Sequence, residues 1–189
     1  MKKVLLFVYD SFAEFEISIL ITCLNGSDYE LVTCSPYSPG KTVTSTGKLK
    51  IMADITVDEV NTDDYAALII PGGNPYHLLE ETKVTKMIRS FFDSSKLVGA
   101  ICGGPALLGG AGILNHIKYT ASLTPNDTQY QPYLNWDNKC EEHLVVDQNV
   151  VTSTGSNYII FAEEILRQLK IVPAEEKSPL LYFKEPSMS

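Results

Sequence analysis

Three short runs without a charged residue constrain this chain more than any other feature. Residues 4–9 (VLLFVY), 66–70 (AALII) and 97–101 (LVGAI) are nearly continuous in apolar side chains. A strand with one face in water alternates polar with apolar residues. A strand that does not alternate is covered on both faces, as in a parallel sheet between two layers of helices. Helical spacing occupies residues 13–24, about 83–92, and 155–169, the last with Ile159, Ile160, Ala162, Ile165, Leu166 and Leu169 as its apolar face. Residues 29–34 (YELVTC) supply a second strand and close a βαβ unit. Such alternation predicts an α/β fold with an open, mostly parallel sheet. Residues 42–46 and 49–53 flank Gly47-Lys48 as a small antiparallel hairpin, and residues 118–121, 144–146 and 150–153 read as short later strands. Beyond Pro173 the tail is irregular, with Leu180, Leu181, Tyr182 and Phe183 available for packing.

At 189 residues, 44% hydrophobic and 20% charged, the chain fits one domain over residues 1–189 with a continuous core. A net charge of -8 without a basic stripe argues against a nucleic-acid partner. The opening MKKVLLFVYD resembles a secretion signal only as far as Asp10 and lacks a small-residue cleavage site, so it reads as the first strand. No apolar stretch approaches the roughly 20 residues needed to span a bilayer. Cys23, Cys34, Cys102 and Cys140 form no CxxC pair, which makes free thiols and a cytoplasmic location the expectation. No nucleotide-binding glycine pattern and no zinc-type ligand spacing occurs, so neither a cofactor nor a metal is expected.

In an open α/β sheet, ligands bind beyond the carboxyl ends of the strands. Cys102 falls there, directly after residues 97–101 and before a helix opened by Gly104-Pro105. Pro suits a first helical turn, and Gly103 and Gly104 remove side chains from a sharp bend, giving a nucleophile elbow with a thiol in place of serine. Helix-start amides favour negative charge, which predicts a thiol ionised near neutrality, with the Gly103 amide aimed where an oxyanion forms. Pro71-Gly72-Gly73 ends another buried strand and lines the same edge, with Gly73 as a second amide donor. Glu16 is the third piece. Its helical neighbours Phe12, Ala13, Ile19 and Leu20 are apolar, so its carboxyl faces the core, is raised by burial, and can deliver a proton. Glu14, beside Asp10 and Ser18, reads as solvated.

These pieces, in this order, resemble the ThiJ/PfpI family of the class I glutamine amidotransferase-like superfamily. The matching strings are KVLLF from Lys3, FAEFE from Phe12, LIIPGG from Leu68, GAICGGPALL from Gly99, AGIL from Ala111, VVTSTG from Val150 and FAEEIL from Phe161, over about residues 3–170. The resemblance implies a flavodoxin-like three-layer sandwich, usually a homodimer. It also implies Cys102 as reactive thiol, Glu16 as its proton partner, and Gly73 and Gly103 as the oxyanion hole. Gly72, Asn74, His77, Gly104 and Ser122 are candidate site-lining residues. Members include glyoxalases or deglycases, isocyanide hydratases, peptidases, redox sensors and chaperone-like proteins.

Peptidase-type members place His directly after the nucleophile, where this chain has Gly103. In members close to the parkinsonism-linked protein a histidine often follows a KxT string, where this chain reads Lys118-Tyr119-Thr120-Ala121-Ser122. A Cys–His dyad needs an imidazole within reach. His77 follows Pro71-Gly72-Gly73-Asn74-Pro75-Tyr76 and could face the site or lie outside it, and a surface position is the stronger reading for His77, His116 and His143 alike. Three readings follow. The first is a cysteine-dependent enzyme acting on a small electrophilic carbonyl compound, with Cys102 as nucleophile and Glu16 as proton shuttle. The second is a thiol redox sensor or stress protein, and the third, disfavoured, is a peptidase or amidase using His77. Tyr130, Tyr133 and Trp136 fit a substrate mouth, a dimer contact or a loop packed by its own aromatics.

Overall fold

The structure, a computed structural model, describes residues 2–172 together with Leu180 and Phe183. Nine strands appear among these residues: β1 (Lys2–Phe7), β2 (Tyr29–Ser35), β3 (Thr42–Thr44), β4 (Lys50–Met52), β5 (Ile55–Thr56), β6 (Tyr65–Ile70), β7 (Leu97–Ile101), β8 (Leu144–Asp147) and β9 (Val150–Ser153). The helices are α1 (Phe15–Leu24), α2 (Thr82–Asp93), α3 (Pro105–Gly110) and α4 (Tyr158–Gln168). Seven strands form one sheet in the order β5-β2-β1-β6-β7-β9-β8, parallel except for β8, while β3 and β4 make the expected separate hairpin. The three charge-free runs lie in its centre, and Val4, Leu5, Leu68, Ile70, Val98 and Ile101 are wholly buried, as double coverage requires.

The chain leaves β1 toward β2, then crosses back to β6 on the other side of β1. Right-handed crossovers in opposite directions put the connecting helices on opposite faces. Accordingly α1 packs on α4, and α2 on α3. Strand order therefore reverses between β1 and β6, which opens a crevice beyond their carboxyl ends.

Three expectations need correction. Residues 118–121 form no strand: Tyr119 makes one isolated bridge to Lys139, and Thr120 donates its N–H to Thr152 Oγ1 at 2.9 Å. The backbone of β9 is already paired on both sides, by β7 and β8, so this segment has no free ladder to join. In α4 the buried face is Phe161, Ala162, Ile165 and Leu166, whereas Ile160 is 44% exposed. Glu14 is not simply solvated but accepts from Thr46 Oγ1 and Gly47 N, tying the hairpin turn to the start of α1. In the tail Leu180 is buried and Phe183 is partly exposed, while Leu181 and Tyr182 lie outside the described residues.

Candidate active site

Cys102 sits at φ 62°, the left-handed region that a non-glycine residue occupies at a cost of about 1–3 kcal/mol. Its backbone is held there from both sides. Its N–H donates to Ser153 O at 2.8 Å, and its carbonyl accepts from Ser122 N at 3.0 Å. Gly104 N closes the bend onto Ile101 O at 2.8 Å, and Pro105 opens α3. The elbow is thus built as expected from a strand, a strained cysteine and a Pro-started helix.

Glu16 reaches this cysteine from the first turn of α1. It is 2% exposed, its Oε2 accepts from Gly72 N at 2.7 Å, and its carboxylate accepts a hydrogen bond from the Cys102 thiol. Gly72 is the fixed point between them. Its carbonyl accepts from Ala13 N at 2.9 Å and from the buried Tyr9 hydroxyl at 2.7 Å. A β-carbon on Gly72 would lie 2.5 Å from both Cys102 Cβ and Glu16 Oε2, so any side chain there would separate the pair. Gly155 closes the opposite side, where a β-carbon would stand 3.0 Å from Cys102 Sγ and 2.8 Å from Glu16 Oε1.

Burial raises the Glu16 carboxyl above its ordinary value, against the lowering effect of its bonds with Cys102 and Gly72. The Cys102 thiol is pushed up to about 11 by burial first, then by the Glu16 charge and hydrogen bond; Ser122 and the Gly103 amide act in the lowering direction. This overturns the expectation of a thiol ionised near neutrality by helix amides. The helix α3 has six residues, and one amide with one hydroxyl does not outweigh burial beside a carboxylate. The two groups interact and titrate as a pair, and a sulfur anion forms when Glu16 takes the thiol proton.

The structure brings together Cys102, Glu16, Gly72, Gly103 and Ser122. Gly73, at φ 110°, bridges Phe12, and its carbonyl faces Gly103. Asn74 lies at the rim, where its Oδ1 accepts from the Tyr130 hydroxyl at 2.8 Å. Tyr130 is buried and stands edge-on to Tyr76 with ring centroids 5.8 Å apart, so this member of the aromatic loop flanks the site. His77 is engaged with the Tyr37 hydroxyl at 3.0 Å. His143 offers its backbone carbonyl to Ser153 and Thr154, so its part in the site is structural. Sequence reasoning missed Tyr9 and Gly155. Gly155 follows Ser153-Thr154 at the carboxyl end of β9, the same sheet edge that marked Gly72 and Cys102, and that position was the available signal.

A sequence profile described as the DJ-1/PfpI family matches residues 2–168. The chain belongs to the DJ-1/PfpI family. Among its relatives, a deglycase of Pyrococcus horikoshii is 30% identical over 170 residues, which cover 89% of this chain and 99% of that protein. An uncharacterized protease of Bacillus subtilis is 28% identical over 90% of this chain and 84% of its own length. The crystal structure of a DJ-1 superfamily protein from Agrobacterium tumefaciens superposes with a TM-score of 0.83 at 29% identity, covering 97% of both chains. The flavodoxin-like three-layer fold is common to such neighbours.

Proposed function

We propose that this protein is a cysteine-dependent enzyme acting on small electrophilic carbonyl compounds, α-oxoaldehydes being the class that fits the site best. The carrying observation is the Cys102–Glu16 pair, a thiol bonded to a buried carboxylate that can accept its proton and return it. As sulfur attacks an aldehyde carbon, the S–H proton passes to Glu16, the C–S bond forms and the carbonyl π pair moves onto oxygen. Glu16 then protonates that oxygen, giving a hemithioacetal. Transfer of its C1 proton to C2 through Glu16 converts it to a thioester, which water hydrolyses to the 2-hydroxy acid with return of the proton to the Cys102 sulfur. The Gly73 and Gly103 amides hold the developing oxyanion in this reading. A relative bearing the name deglycase supports an enzymatic role.

The redox-sensor reading has no observation of its own, because the same Cys102–Glu16 pair would present the sulfur to peroxide as to a carbonyl. The peptidase reading lacks an imidazole at the sulfur, since His77 is bonded to Tyr37. Four free cysteines support a reducing cytoplasm as the location, and no helix among the described residues is long and apolar enough to cross a membrane. Methylglyoxal consumption tests the function. Wild-type protein is expected to consume it and Cys102→Ala, with unchanged circular dichroism, is expected to lose that activity; equal consumption by both overturns the proposal.

A further inference from the structure

Ser122 stands at the sulfur without belonging to the proton pair. It lies at a bend just after residues 118–121, and its backbone N–H donates to the Cys102 carbonyl at 3.0 Å. Its hydroxyl oxygen accepts from Gly155 N at 2.9 Å. A hydroxyl has one proton to give, and with its oxygen engaged by the Gly155 amide, beside which the Cys102 sulfur stands, that proton is left to favour charge on the sulfur. Ser122 therefore grips Cys102 twice, once through the backbone and once through the side chain. The second grip is itself oriented by the glycine that closes the back of the site.

We propose that Ser122 is a positioning residue, whose hydroxyl, fixed by the Gly155 amide, holds the Cys102 sulfur in its attacking position and stabilises the anion released when Glu16 takes the thiol proton. The inference rests on the nucleophile–base reading given above and adds a third group to it. Three titratable groups are near enough to feel the charge of the sulfur: Glu16 from α1, Tyr9 from the loop after β1, whose hydroxyl is bonded to Gly72 O, and Tyr130 from the aromatic loop, whose hydroxyl is bonded to Asn74. All three become negative on ionisation and oppose a sulfur anion. Ser122 and the Gly103 amide are the neutral donors that favour it. A hydrogen bond to a charged group contributes about 1.5–3 kcal/mol, which converts to roughly a 10-fold to 100-fold effect on the anion.

The test compares Ser122→Ala and Ser122→Thr with wild type in two assays. The first is the rate of iodoacetamide alkylation of Cys102 against pH, followed by intact mass, which needs no assumption about substrate. Ser122→Ala is expected to move the alkylation profile to higher pH and to slow the reaction at pH 8 by roughly 10-fold or more, while Ser122→Thr, which keeps a hydroxyl, stays near wild type. The second is methylglyoxal turnover, where Ser122→Ala is expected to lower kcat with little change in KM. An alkylation profile of Ser122→Ala superimposable on wild type overturns the inference. So does an equal shift in Ser122→Thr, because loss of packing rather than of a donor would then be responsible. If wild type fails to consume methylglyoxal while the alkylation shift is present, the substrate reading falls and the role of Ser122 stands.

Discussion

A carboxyl that is 2% exposed, with Gly72 N–H and the Cys102 thiol as its donors, is held at a cost to the fold whenever it is charged. Its folded pKa lies above the ordinary value, so the folded protein binds this proton more tightly than the unfolded chain does. The stability it contributes is complete at low pH and is lost as pH rises through the raised value. Glu16→Gln keeps an oxygen for Gly72 N–H and removes the charge. The variant is expected to melt above wild type at neutral pH, by a margin that closes as the pH falls below the ordinary carboxylate value of 4.5. Calorimetry across that range checks it, and a margin independent of pH contradicts it. An active site bought with local instability is the usual arrangement in enzymes. The strained φ of Cys102 belongs to the same trade, since the bend exposes sulfur at the end of a buried strand.

At the scale of elements, the turn after β7 also explains why this chain departs from the peptidase pattern. A β-carbon on Gly103 would stand 2.7 Å from the Gly73 carbonyl, so the loops after β6 and β7 approach too closely for a histidine there. Gly103→Ala is expected to destabilise the protein by about 1–3 kcal/mol, the usual cost of overpacking, visible as a lowered melting temperature. An unchanged melting temperature would show that the loops can part. The strands β1, β6 and β7 were legible because burial on both faces abolishes alternation. Their Gly- and Cys-bearing ends followed from the rule that sites lie at carboxyl edges. At α4 the expected face holds for Ala162, Ile165, Leu166 and, just beyond the helix, Leu169, but Ile160 is exposed and Phe161 takes its place, a choice that local apolarity does not make because both are equally apolar. The irregular course of residues 118–121 depends on β9 being paired on both sides, by β7 and β8, a tertiary fact that no local pattern encodes.

Over the whole molecule, the site is assembled by topology from segments distant in sequence: α1, the loops after β1, β6, β7 and β9, and the segment carrying Ser122. Their convergence follows from the reversal of strand order beside β1. The participants at sheet edges could be named from the sequence, but the balance of charges could not, because the 2% exposure of Glu16 and the resulting rise of the thiol exist only once α1 is packed. The same packing leaves Phe15 on α1 and Leu49 and Met52 on the hairpin region exposed, on elements joined through Glu14. We propose a homodimer, with an expected solution mass of twice the chain's 20.9 kDa by light scattering; the mass of a single chain contradicts it. The central claim is that Cys102 and Glu16 work as one nucleophile–base unit. Methylglyoxal turnover by Glu16→Gln tests it most directly: the account predicts a folded protein with kcat lowered by roughly 10²–10⁴-fold, the contribution of a positioned general base. A kcat within about two-fold of wild type would contradict it.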